Sequence, residues 1–249
     1  MIHSFLLIGQ SNMAGRGSLA DAHPVDTSRI YTLRNGRFQT MFRPICPDRV
    51  ACGVNLAESF AESYAQKHDV DVGLICAADG GSHLDLWMPG SLLFDHAVYQ
   101  AKLAARSSTI MGVLWHQGES DTKPEMNATY RRRCEEMIAG FRKAVPELKN
   151  VPFLLGGLGD FLKDCVKYPE LVNYPKINAA LQEMADNDPL IGFVSAEGLL
   201  GNPDNLHFSS SSLYAFGLRY LEEFEKFNIC TADKKSSEDD MQRSSMELL

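Results

Sequence analysis

Short, continuous apolar runs alternate along the chain with stretches of helical spacing. The runs HSFLLIG (3–9), DVGLICAA (71–78), IMGVLWH (110–116), VPFLLGG (151–157) and LIGFVSA (190–196) are apolar at nearly every position. That pattern suits strands buried on both faces of a parallel sheet rather than half-exposed antiparallel ones. Between the runs, apolar residues recur every three or four positions. Leu56, Phe60 and Tyr64 form one such stripe, and Met126, Tyr130, Cys134, Ile138, Phe141 and Val145 form a longer one. Ile177, Leu181 and Met184 mark a third helix, and Leu213, Phe216, Tyr220, Phe224 and Phe227 a fourth.

Strands separated by single helical patterns imply right-handed βαβ crossovers, which put helices on both faces of the sheet. The expectation is therefore an α/β protein, a three-layer α/β/α sandwich around a five-stranded parallel sheet of flavodoxin-like type. One domain over residues 1–230 accounts for this pattern, and 249 residues are enough for a substantial core. From Thr231 the composition turns polar, TADKKSSEDDMQRSSMELL, with no apolar stripe, so residues 231–249 are expected to form a weakly packed polar tail.

The formal charge of −8 argues against a nucleic-acid partner, since the one basic cluster, YRRRC at 130–134, falls on a predicted helix and reads as a solvated face. No apolar run approaches the roughly 18 residues that span a bilayer, so no membrane partner is expected. MIHSFLLIG lacks a basic leader and a small-residue cleavage site and reads as a first strand, which points to the cytoplasm. The six cysteines, at 46, 52, 76, 134, 165 and 230, contain no Cys-x-x-Cys pair, so reduced thiols are expected rather than a zinc or redox centre.

In such a sheet ligands bind beyond the C-terminal strand ends, so the loops that follow the strands carry the chemistry. They read GQSNMAG after the first strand, DGGSH (79–83) after the second, WHQGESD (115–121) after the third and PDNLHFS (203–209) after the fifth. A serine hydroxyl needs a base, and an imidazole serves best when a carboxylate fixes its tautomer. Asp204 and His207, three residues apart, could supply that pair for Ser11. Acyl transfer also needs donors for an oxyanion, and the Ser11 amide, the turn at Gly80 and Gly81, and the Gln117 side chain are candidates.

Each element has a plainer reading. Ser11 or Asn12 could merely cap a helix, Gly80-Gly81 could be only a turn, and Asp-x-x-His is often a surface pair. His83 and His116 could line a pocket. Glu119 and Asp121 could orient their loop or bind sugar hydroxyls, or could be buried acceptors for backbone amides. Arg16 could meet a substrate or pair with a nearby acid, and Trp87, like Trp115, could stack on a pyranose or belong to the core. Four strand ends supplying parts of one mechanism favour the catalytic reading.

GQSNMAGRG, DGGS, WHQGESD and DNLHFS together resemble the sequence blocks of the SGNH-hydrolase superfamily, in its branch of acetylxylan-esterase-related and sialic-acid O-acetylesterase-like carbohydrate esterases. The resemblance runs from Ile8 to about Leu221. It implies Ser11 as nucleophile, Asp204 and His207 as its partners, and Gly80 or Gly81 with Gln117 beside the Ser11 amide in the oxyanion hole. Gln117 stands where the wider superfamily has asparagine. The implied function is a serine carbohydrate esterase that hydrolyses O-acetyl esters of a sugar or oligosaccharide, of acetylxylan or O-acetylated sialic acid type, with no metal or organic cofactor. Gln10, Asn12, Arg16, His116, Glu119 and Trp87 are further candidates for contact with substrate. The alternatives are a lipase-like or thioesterase-like acyl hydrolase, or a non-catalytic carbohydrate-binding protein on the same fold. A flavodoxin-like nucleotide binder would want a Gly-x-Gly-x-x-Gly after its first strand, and none is there.

Overall fold

A computed structural model of the chain describes residues 2–229. Their centre is one sheet, built from β1 (Ile2–Gly9), β2 (Ile30–Arg34), β3 (Arg37–Thr40), β4 (Asp71–Cys76), β5 (Ser108–His116), β6 (Phe153–Gly156) and β7 (Ile191–Val194). The strand order is β3-β2-β4-β1-β5-β6-β7. Every pairing is parallel except that of β2 with β3. The five strands expected from the apolar runs are all present, and among themselves they follow the flavodoxin-like order. The sheet nevertheless has seven strands. The two extra ones form a hairpin whose turn, Asn35-Gly36, has both residues at positive φ (53° and 77°), the backbone of a tight two-residue turn.

The helices are α1 (Ser11–Ala14), α2 (Ala57–His68), α3 (Leu92–Ala104), α4 (Pro124–Ala144), α5 (Tyr174–Asn187) and α6 (Ser210–Glu225). Alternate residues of each strand face opposite layers. In β1, Leu6 and Ile8 pack with Phe94 of α3, Tyr130 and Phe141 of α4, and Leu181 of α5. Phe5 and Leu7 pack with Phe60 and Tyr64 of α2 and with Phe216 and Phe224 of α6. Burying each of these side chains contributes roughly 1.5–3 kcal/mol. The layers are therefore α3, α4 and α5 on one face and α2 with α6 on the other. Among the described residues no helix is long and apolar enough to cross a membrane. The polar segment 231–249 lies outside the described residues.

Since β4 and β5 flank β1 in parallel, the loops after these three strands emerge side by side. This is the point where the winding of the sheet reverses, the place at which open α/β sheets bind their ligands.

Candidate active site

The end of β1 explains why the chain needs glycine there. Gly9 has φ +130°, and a Cβ on it would lie 2.1 Å from the His116 carbonyl oxygen. Only glycine lets the two strand ends close up, after which the Gln10 amide donates to that same carbonyl at 2.9 Å. The Gln10 carbonyl in turn accepts from Met13 N and Ala14 N, both at 2.9 Å, and closes the single turn that Ser11 begins. As the first helical residue, Ser11 has an amide with no carbonyl of its own helix to bond.

The Ser11 hydroxyl lies 3.1 Å from His207 Nε2, and His207 Nδ1 lies 2.7 Å from Asp204 Oδ2. Residues 196 positions apart thus meet above the strand ends. Asp204 Oδ1 also accepts the amides of Leu206 at 2.9 Å and His207 at 3.0 Å. Desolvation works to raise the Asp204 carboxyl, but these two amides and the His207 ring outweigh it and hold the group below its usual range. An ionised Asp204 requires the proton on Nδ1, so Nε2 turns its lone pair to the serine. The loop holding the pair is closed by a bridge between Gly201 and Phe208, and Ser209 caps α6 by accepting the Ser212 amide at 3.2 Å.

Asn12 brackets His207. Its Oδ1 accepts the Phe208 amide at 3.1 Å, while Nδ2 donates to the Leu206 carbonyl at 3.2 Å and to Glu119 Oε1 at 2.5 Å. Glu119 is buried, and its other oxygen, Oε2, has no hydrogen-bond partner among the described residues. His116 is wholly buried beside it. Burial lowers the His116 pKa, against the opposing pull of Glu119 and of the Gly157 carbonyl that its Nε2 contacts at 3.2 Å.

The second loop turns at Asp79–Ser82, with the Ser82 amide reaching back to the Asp79 carbonyl at 3.4 Å. Gly81 takes φ +77° at the third turn position, where a side chain would be strained. The Gly80 amide is bonded to Asp48 Oδ2 at 2.8 Å, whereas the Gly81 amide makes no hydrogen bond to the described residues. Gln117 Nε2 donates to the Ser82 carbonyl at 3.2 Å and to Asp121 Oδ2 at 2.6 Å. Both of its hydrogens are thus engaged inside the protein.

The model of the family described as "carbohydrate esterase, sialic acid-specific acetylesterase" matches residues 1–226. The chain belongs to this family. It is accordingly a carboxylic ester hydrolase of the carbohydrate acetylesterase class. A probable carbohydrate esterase of Arabidopsis thaliana is 24% identical over 245 residues, which cover 88% of this chain and 89% of the relative. The solved structure of that plant protein superposes with a TM-score of 0.81 over 92% of this chain and 99% of its own. The structure of NanS matches with a TM-score of 0.69 at 17% identity, over 91% of this chain and 97% of that one. A carbohydrate acetylesterase from Xanthomonas citri matches with a TM-score of 0.64 at 19% identity, over 90% of this chain and 56% of that one. The fold is shared with SGNH hydrolases.

Within this carbohydrate esterase the structure places the sequence-based candidates at different depths and with different partners. Of the oxyanion candidates, Gly80 or Gly81 with Gln117, the Gly80 amide is bonded to Asp48 and the Gln117 side-chain amide to Ser82 and Asp121, while the Gly81 amide makes no bond to the described residues. Of the six residues considered for substrate contact, five are buried and Arg16 is partly buried. Trp87 is fully buried, edge-to-face with Trp115 at 5.6 Å, and its indole N–H donates to Ser82 Oγ at 2.9 Å. Gln10, Asn12, His116 and Glu119 are likewise buried and tie the loops together. Arg16 is chelated by Asp48, through Nη1–Oδ1 at 2.9 Å and Nη2–Oδ2 at 2.6 Å. Asp121, also buried, accepts the Leu84 amide at 2.8 Å and pairs with Arg133 at 2.9 Å. Asp48, which bonds the Gly80 amide, carries no signal in the sequence because it lies on a loop that follows no buried strand.

Proposed function

We propose that Ser11 is the nucleophile, His207 the general base and acid, and Asp204 the orienting carboxylate in hydrolysis of O-acetyl esters of a sugar or oligosaccharide. The observation that carries this reading is the hydrogen-bonded series Asp204–His207–Ser11, at 2.7 and 3.1 Å. Ser11 passes its proton to His207 Nε2 as its oxygen attacks the acetyl carbonyl, and Asp204 stabilises the imidazolium. The oxyanion lies between the amides of Ser11 and Gly81. Collapse expels the sugar alkoxide, which takes the proton from His207, and leaves an acetyl-serine. His207 then deprotonates a water that attacks this ester, returning Ser11 and releasing acetate.

The two arginines beside the glycine turn are each chelated by an aspartate, Arg16 by Asp48 and Arg49 by Asp79. Neither presents an open fork to a sugar carboxylate, which favours a neutral acetylated sugar over an O-acetylated sialic acid. The five cysteines among the described residues are unbridged, which suits a reducing compartment such as the cytoplasm. The test is acetate release from acetylated xylo-oligosaccharides, acetylated monosaccharides and O-acetyl sialic acid, with p-nitrophenyl esters of rising chain length alongside. Turnover is expected on acetyl esters of neutral sugars. Turnover confined to long-chain esters would overturn the acetyl reading.

A further inference from the structure

Residues Asp48 and Arg49 grip the glycine turn from one side. Asp48 Oδ2 accepts the Gly80 amide at 2.8 Å while the same carboxylate chelates Arg16 in a buried ion pair, with side chains 5% and 7% exposed. Arg16 is fastened in turn by donating to the Gly15 carbonyl at 2.9 Å, four residues past Ser11. Arg49 Nη2 donates to the Gly80 carbonyl at 3.2 Å and to Asp79 Oδ1 at 2.6 Å, and its Nη1 reaches Asp79 Oδ2 at 3.3 Å. The Asp79 amide is anchored on the Gly9 carbonyl at 3.0 Å, at the end of β1.

A trans peptide is planar, with its C=O and N–H pointing in opposite directions. The Gly80 carbonyl and the Gly81 amide belong to one such plane, so a guanidinium that holds the carbonyl on one side turns the amide to the other. Without this hold the plane could rotate, since glycine on both sides of the peptide leaves both flanking torsions soft.

We infer that Asp48 and Arg49 are positioning residues for ester hydrolysis, Arg49 holding the Gly80–Gly81 peptide by its carbonyl and Asp48 the preceding Asp79–Gly80 peptide by its amide, so that the Gly81 amide faces the oxyanion. This rests on the reading of Ser11 as nucleophile. Neither residue touches substrate in this arrangement; each acts through the turn. A donor fixed before the reaction costs no reorganisation as charge develops, and losing one outright typically lowers turnover by ~10²–10³.

The experiment compares Arg49→Ala and Asp48→Asn with wild type on an acetyl ester, with kcat and KM measured separately and melting temperature as a control. Arg49 is half exposed, so its removal should leave the fold intact. Asp48→Asn keeps an acceptor for the Gly80 amide but weakens the buried pair with Arg16. The expected result is a fall in kcat of about 10-fold for Arg49→Ala and about 10- to 100-fold for Asp48→Asn, with KM little changed, since only a transition-state interaction is lost. Arg131→Ala, which removes two exposed ion pairs, with Glu135 and Glu183, and touches no residue of the turn, should match wild type. Wild-type kcat in a folded Arg49→Ala would overturn the inference, and that variant decides the matter if Asp48→Asn fails to fold. Ser11→Ala is run in parallel. If it is inactive while Arg49→Ala is unaffected, only the positioning claim fails; if it stays active, the nucleophile assignment itself fails.

Discussion

Replacing Asn12 with alanine removes one side chain that serves three groups: the Phe208 amide, the Leu206 carbonyl and Glu119 Oε1. Phe208 and Glu119 are buried, so water does not readily take the place of the lost amide. A buried polar group left without a partner costs about 1–3 kcal/mol, and more when it is charged. Two such groups give a loss of roughly 2–6 kcal/mol. For a domain of this size that corresponds to a drop in melting temperature of roughly 5–20 °C. Turnover should fall as well. His207 lies between the two backbone groups that Asn12 holds, and a displacement of about 1 Å in a catalytic group can cost about 10²-fold. Urea and thermal unfolding give the stability term, and p-nitrophenyl acetate hydrolysis under folded conditions gives the kinetic one. A loss below about 1 kcal/mol with kcat within about twofold of wild type would refute the claim that Asn12 braces the His207 loop.

Two further outcomes follow from the same geometry. Asp204→Asn should leave the melting temperature nearly unchanged, because the side chain is half exposed, but should lower kcat by on the order of 10³–10⁴ as the imidazole loses its proton-fixing partner; a loss under about tenfold would remove Asp204 from the mechanism. Burial lowers the pKa of both His3 and His116 below the ordinary 6.5, with His68 adding to the effect at His3. The unfolded chain therefore binds protons that the folded one refuses, so stability is greatest above about pH 6.5 and declines as the pH falls below it. Urea midpoints at about pH 7.5 and about pH 6 check this, and a midpoint that rises on acidification would contradict it.

The parallel core was legible because its signals are local and redundant. Phe5 to Ile8 is apolar at every position, as only a strand buried on both faces can be, and Phe60–Tyr64 or Phe216–Tyr220–Phe224 repeat at helical spacing. The β2–β3 hairpin carries little signal because its strands are only five and four residues long, IYTLR and RFQT, with no continuous apolar run. Asn35-Gly36 was the available signal, a dipeptide suited to the left-handed turn it forms. For the site, loop order after the strands sufficed to bring Ser11 together with Asp204 and His207. It gave no measure of depth. Trp87, His116 and Glu119 sit on the expected loops yet lie beneath the surface, because depth depends on how neighbouring loops stack. The partnership of Asp48 and Arg49 with the glycine turn, some 30 residues on, follows from the path of a loop that has no apolar period to reveal it.

The central claim is that Ser11 carries the acyl group, and covalent labelling tests it most directly. The protein is treated with a sulfonyl fluoride, digested and examined by peptide mass spectrometry while residual esterase activity is followed. The expected result is a single adduct on Ser11 that accumulates in step with the loss of activity and is absent from Ser11→Ala. Loss of activity with Ser11 unmodified, or an adduct at another serine, would contradict the account.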